Sequence, residues 1–304
     1  MKYLLTLVVA GACAQPAVAC DLCSIYAATE AQGGSGEGFF GGVAEQFTHF
    51  GTLQQDGHKV SGAGQYIDSS VTQVLAGYNF NNRLGVQLNL PVIYRAFGSD
   101  TMRGTESGLG DLSLVGTFAA YRKLTENFNF SWTLLGGLKF PTGDSSRLNT
   151  PDSALPDGIG GHDLALGSGS YDGLVGTGVF GRWKRVFATA NVQYAIRSEG
   201  DFAHRYANDL TWLGGPGVYL AMTHSYTLSL QAIISGETKG KDTFGGVPDG
   251  DSAETLVYAG PQANFTWGSR LSLLAAVDLP LSRDNSGTQV MPDYRVRVAV
   301  TWRF

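Results

Sequence analysis

Cys20 and Cys23 stand at C-x-x-C spacing, which serves redox dithiols, zinc sites and haem attachment alike. Each of those uses makes a further demand. Haem attachment needs a His directly after the second cysteine, and Ser24 stands there. A structural zinc site needs four ligands, and the chain has no second cysteine pair and no histidine close to this one. A thioredoxin-like catalyst needs its own βαβ scaffold, which the pattern of the chain does not provide. Two readings remain: a Cys20–Cys23 disulfide in an oxidising compartment, or two soft thiolates for copper(I) if the pair stays reduced.

Other residue types invite other chemistry. His162-Asp163 and His224-Ser225 are the histidine pairs that a hydrolase would use. Asp144, Asp152, Asp157, Asp249 and Asp251 carry the oxygen ligands calcium prefers, yet no twelve-residue ligand loop appears. Aspartates beside glycines are chiefly turn formers. A third set, Arg95, Lys139, Arg197, Arg295, Arg297 and Arg303 with Asp278, is charged and spread along the chain. What it does depends on which elements carry it.

The N-terminus places the chain. Residues 1–19, "MKYLLTLVVAGACAQPAVA", have one Lys, an apolar run and an Ala17-Val18-Ala19 ending, the layout of a secretory signal peptide. Cleavage after Ala19 would remove Cys13 and leave Cys20 first. A lipoprotein signal is the second reading, although it usually carries Leu where Ala17 stands. Residues 20–37 have helical character in "DLCSIYAATEAQ" and a hinge in "GGSGEG". They are expected to hang in the periplasm or the lumen, where a periplasmic partner would meet them.

Composition narrows the class. Lys and Arg total 21 against 26 Asp and Glu, which argues against a nucleic-acid partner. With 42 glycines, 11% aromatics and 15% charged residues, the chain is weakly charged and rich in turn and strand formers. Segments of about 10 to 14 residues alternate apolar and polar positions, the period of a strand with two different faces. In "YRVRVAVTWRF", Tyr294, Val296, Val298, Val300, Trp302 and Phe304 share one face, and Arg295, Arg297 and Arg303 the other. Aromatics at both ends of the apolar face, with aliphatics between, mark a strand crossing a bilayer. "NFNFSWTLLGGLKF", "RVFATANVQYAIRS" and "RLGVQLNLPVIYRAF" repeat the pattern.

The connections complete the case. Short turns at 81–82, 122–127, 183–185, 223–225 and 268–269 alternate with longer Gly/Asp/Ser-rich loops at 51–67, 98–108, 141–169, 199–206, 237–252 and 282–292. That is the layout of an all-β, antiparallel up-and-down transmembrane β-barrel in the outer membrane of a Gram-negative bacterium, with both termini periplasmic. Its twelve expected strands are 38–50, 68–80, 83–97, 108–121, 127–140, 169–182, 185–198, 206–222, 225–236, 253–267, 270–281 and 292–304. Closure is required because lipid offers no partner for an open edge.

Two resemblances follow. The last strand, with Val300, Trp302 and Phe304, resembles the ending by which the barrel-assembly machinery recognises outer-membrane proteins. "GLGDLSLVGTFAAYR" (108–122), "LLGGLKFPTGD" (134–144) and "LGSGSYDGLVGTGVF" (166–180) resemble the barrels named after the meta-pathway of phenol degradation, loosely related to fatty-acid uptake channels. The resemblance implies a channel or transporter for small solutes, apolar or aromatic, and no catalytic residues. The alternative is a non-transport barrel whose Cys-bearing segment has a redox, metal or docking role.

On this frame the charged set faces the lumen, with Gln87, Asn89, Asn191, Gln193, Gln231, Gln262 and Asn264. Either the arginines make a cationic constriction that selects anions, or they pair with Asp278 and Glu45 to brace a narrow lumen. The second is expected, since a barrel of this size lies between filled barrels and open porins. His224-Ser225 falls in a turn, and His162-Asp163 in a loop, where such a pair is ordinarily solvated. No enzyme, resident metal or cofactor is expected.

Overall fold

The structure, a computed structural model, describes residues 37–304. The expected signal peptide, Cys20 and Cys23 lie outside the described residues. Twelve strands form one antiparallel barrel. They are β1 Gly38–Gln55, β2 Tyr66–Asn79, β3 Leu84–Gly98, and β4 in two segments, Arg103–Leu109 and Ser113–Leu124. Then come β5 Phe128–Lys139, β6 Asp172–Trp183, β7 Val186–Ile196 and β8 Asp209–Met222. The last four are β9 Tyr226–Lys239, β10 Glu254–Trp267, β11 Leu271–Asn285 and β12 Thr288–Arg303.

Each strand pairs with its neighbours in sequence, and β1 closes the ring against β12, with Val43 opposite Val300. Closure leaves no edge in the apolar zone, the condition that lipid imposes. Alternation does the sorting. Along β7, Val186, Ala188, Ala190, Val192, Tyr194 and Ile196 are exposed outward, while Phe187, Thr189, Asn191, Gln193 and Ala195 are buried inward. The outer wall carries an apolar band with Phe39, Trp183, Trp267 and Trp302 exposed near the turn end and Tyr94, Tyr194 and Tyr294 near the loop end. From Trp302 to Tyr294 is eight residues, about 27 Å of strand. Tilted, this fits the apolar band of a barrel. Among the described residues no helix is long and apolar enough to span a membrane.

Three expected boundaries are corrected. The expected loops 51–67 and 282–292 are shorter, because β1 and β12 stay paired up to Gln55 opposite Thr288. Above the apolar band both faces of a ladder meet polar surroundings or loops, so the alternation that reveals a strand fades while its hydrogen bonds continue. The expected strand 108–121 is the two-part β4, whose first segment pairs the upper half of β3 and whose second pairs the lower half. The ladder between β8 and β9 skips Gly215 and Pro216. Proline has no N–H to give, and Gly215 has φ 156° and lies where a Cβ would meet the Ala232 carbonyl.

Candidate functional site

The mouth of the barrel is closed by its own longest loop. Residues 140–171 fold inward through two 3₁₀ turns, Ser146–Asn149 and Asp152–Ala154, and one short helix, α1, Gly161–Leu164. Leu155, Ile159 and Leu164 of this cap pack with Leu53, Ile67, Phe97 and Val290 of the wall. The apolar side chains that drive this are scattered, with no strand or helix period.

Polar contacts fix the cap's position. Asp111, in the break of β4, accepts hydrogen bonds from the Gly143 N–H and the Ser168 N–H, both at 3.0 Å. Arg95 of β3 donates to the Ala165 carbonyl at 2.8 Å. Arg147 donates to Glu106 and lies over the Phe97 ring. Tyr206 donates its hydroxyl to the His162 carbonyl at 2.9 Å. Val290 N–H donates to the Gly158 carbonyl at 3.0 Å. Where such a bond satisfies a buried group, leaving that group unpaired would cost about 1–3 kcal/mol.

Beneath the cap is a cavity of about 160 Å³. Its lining mixes apolar side chains, among them Phe50, Ile67, Val71, Ile93, Leu166 and Val290, with polar ones, among them Arg95, Asp111, Lys139, Arg197, Tyr206 and Glu237. The structure therefore gathers Arg95, Lys139 and Arg197 at one place. Each has a partner. Lys139 meets Asp111 and, at 2.8 Å, Asp172. Arg197 bridges Asp172 at 2.9 Å and Asp209.

A second group lies on β11 and β12. Arg297 holds Asp278 with two bonds, of 2.7 and 2.9 Å. Arg295 meets Glu237 at 2.9 Å and stacks on the Tyr258 ring at 4.3 Å. Arg303 is the last residue of β12 and is half-buried. Trp302 and Phe304 point outward, and the Phe304 N–H donates to the Phe39 carbonyl at 2.9 Å. Buried amides line much of the remaining lumen: Gln73, Gln87, Asn89, Asn191, Gln193, Gln231, Gln262 and Asn264. They bond sideways, as Gln231 does to Thr189 at 2.7 Å and Gln262 to Asn264 at 3.0 Å.

Two expectations are corrected here. Glu45 does not face the lumen. Gln46 beside it is buried inward, so Glu45 falls on the outer wall, where Ser70 and Thr72 donate to its carboxylate. His162-Asp163 is not a solvated loop pair: the loop folds inward, and His162 is nearly buried in the cap. There its ring stacks with that of His204, centroids 6.4 Å apart. Burial pushes His204 down to about 4, and His162 and Lys239 beside it act in the same direction, against the pull of Asp242. His224-Ser225 lies in the exposed turn before β9. Among the described residues no group of three or more His, Cys, Asp or Glu side chains is placed to hold a metal ion. Asp111, Asp172, Asp209, Glu237 and Tyr206 are the site residues that the sequence reading did not single out. Asp111 and Asp172 lie within the stretches that carried the family resemblance, and Asp172 stands opposite Lys139 in the ladder between β5 and β6.

The family described as "Putative MetA-pathway of phenol degradation" matches residues 41–290. Among solved structures, an outer membrane channel from Pseudomonas putida F1 is 18% identical, with a TM-score of 0.63 over 88% of this chain and 96% of that one. The translocator domain of the autotransporter NalP from Neisseria meningitidis is 14% identical, with a TM-score of 0.45 over 92% and 93% of the two chains. The CymD monoaromatic hydrocarbon channel is 7% identical, with a TM-score of 0.38 over 88% and 89%. The first shares this chain's fold, an outer-membrane barrel. No protein of curated function matches the sequence.

Proposed function

We propose that this chain, which belongs to the family of the putative MetA pathway of phenol degradation, is an outer-membrane channel for small solutes. Its loop end faces outward and its turn end the periplasm. The observation that carries this reading is the lumenal cavity of about 160 Å³ under the cap. An engineered apolar cavity of about 150 Å³ holds one benzene ring, so the space suits a solute of single-ring size. The apolar lining residues offer burial to a ring, and the polar ones offer donors and acceptors to a substituent. Paired charges hold the walls in place, and the amides below give neutral hydrogen-bonding partners along the way down.

Other features support the reading at the level of delivery. Trp302 and Phe304, exposed at the end of β12, suit recognition by the barrel-assembly machinery. The export signal in residues 1–19 would bring the chain to it, and residues 20–37 would then lie at the turn end, available to a periplasmic partner.

Purified protein in planar bilayers and in proteoliposomes tests the proposal. Measurable conductance, and swelling with single-ring neutral solutes, is the expected result. A lumen that stays closed to ions and solutes even after deletion of residues 20–37 would overturn it.

A further inference from the structure

Three loops meet at one histidine. His204 lies in the loop between β7 and β8, in the two-residue strand His204–Arg205 that pairs with Thr243–Phe244 of the next loop. Its ring faces His162 of the cap, and Tyr206 and Phe244 pack on it with centroids at 4.5 Å. It is 1% exposed, and neither ring nitrogen has a hydrogen-bond partner.

The charged groups around it come from every element packed there. Asp242 has its Oδ2 3.7 Å from the His204 Nε2, yet that oxygen already pairs with Lys239 at 2.9 Å. His162, stacked on the ring, has its own nitrogens 3.3 Å from Asp163 and 4.0 Å from Asp249. Tyr206 connects the cluster to the cap by its bond to the His162 carbonyl. With His204 neutral, the ring is an apolar spacer that seals three loops together. A proton taken from water onto a His204 nitrogen changes this. A new cation then sits buried beside Lys239 and against a second imidazole, with Asp242 its nearest carboxylate and Asp249 also acting on it.

We propose that the His204–His162 contact is an acid-released latch, which holds the cap over the lumen at neutral pH and lets it go when His204 is protonated. That release of the cap opens a solute path rests on the channel reading; the release itself does not. The device is reversible, since a proton is all that comes and goes.

Hydrogen exchange of the full chain tests the latch. Protection of the amides in 158–166 is measured at pH 7 and pH 4 and corrected for the pH dependence of chemical exchange, beside single-channel conductance. The expected result is at least a tenfold loss of protection at pH 4 that returns on neutralisation, and none in His204→Phe. Asp242→Asn removes the compensating carboxylate, so it should move the midpoint to higher pH. This second variant keeps the test sharp if His204→Phe disturbs the cap at pH 7. Equal protection at both pH values, an equal acid response in a His204→Phe chain whose cap is protected at pH 7, or an unmoved midpoint in Asp242→Asn overturns the latch. Release without any change in conductance upholds the latch and counts against the channel reading.

Discussion

Arg297 and Asp278 meet in the lumen with two hydrogen bonds, both side chains almost fully buried. Such a pair adds little net stability compared with apolar residues, but removing one member leaves a buried charge alone. Arg297→Ala is therefore expected to destabilise the barrel by about 3–5 kcal/mol. Replacing both partners together (Arg297→Met with Asp278→Leu) should restore most of that loss. Urea unfolding in lipid vesicles reads both.

Glu45 presents the opposite case, a carboxylate on the wall, level with Thr72 and Val298 on its neighbours and four residues from both the Trp302 and the Tyr294 positions of β12. Charges on the lipid face cost most near the midplane, less for Glu than for Arg or Lys. Glu45→Leu is expected to raise the urea midpoint, by about 1 kcal/mol of stability. The reason Glu45 was misplaced is local. In "VAEQF" Val43 and Phe47 put Glu45 on the lipid face by alternation, and its charge was weighed above that pattern. By contrast Arg295, Arg297 and Asp278 were legible, because Tyr294, Val296 and Val298 or Val277 and Leu279 fix the face on either side.

The element that decides access is the cap, and it was not legible. Its buried residues Leu148, Leu155, Ile159, Leu164 and Leu166 sit among glycines, serines and aspartates without a period. What makes them buried is the width of the barrel mouth, a property of twelve strands together that no stretch of loop sequence contains. The strands themselves were legible wherever one face met lipid, and their ends were not, because the ladder outlasts the lipid. Among the cap's anchors Asp111 is the most connected, taking the Gly143 and Ser168 N–H groups and the Lys139 ammonium. Asp111→Ala should loosen the cap by about 2–3 kcal/mol, a charged acceptor being lost from buried donors. Faster chymotrypsin cleavage within 141–171, with the urea midpoint of the barrel little changed, is the expected signature. Coincident loss of both would mean that cap and wall unfold as one unit.

For the whole molecule, two properties follow from how charge is distributed. The first is acid sensitivity. His204 is held to about 4 in the fold, below its ordinary value of 6.5. Above pH 6.5 the ring is neutral whether the chain is folded or not, and this group makes stability independent of pH. As pH falls from 6.5 to 4, the unfolded chain takes a proton that the folded chain refuses, so stability is lost, to a limit of roughly 3 kcal/mol. Below 4 the loss levels off. The loss falls on the loops that hold His204, so the stability of the cap, read by hydrogen exchange of its amides across this window, should fall in the native chain and stay flatter in His204→Phe.

The second property is ion preference, which separates the two uses weighed for the lumen arginines. A cationic constriction would hold Arg95, Lys139, Arg197, Arg295 and Arg297 without compensation and draw anions in. In the fold, Lys139 and Arg197 share Asp172, with Asp111 and Asp209 beside them, Arg295 faces Glu237, and Arg297 faces Asp278, while Arg95 is held by the Ala165 carbonyl and the Ser69 hydroxyl. A passing ion then meets dipoles of short range where it would have met a field of one sign, and amides over much of the rest of the path. The reversal potential of the open channel in a potassium chloride gradient should therefore lie close to zero. Asp278→Asn leaves the Arg297 charge in place without its counter-charge, and it should shift that potential toward anion selectivity. A strongly anion-selective native channel would instead return the arginines to the role of a filter, because compensated pairs cannot produce one.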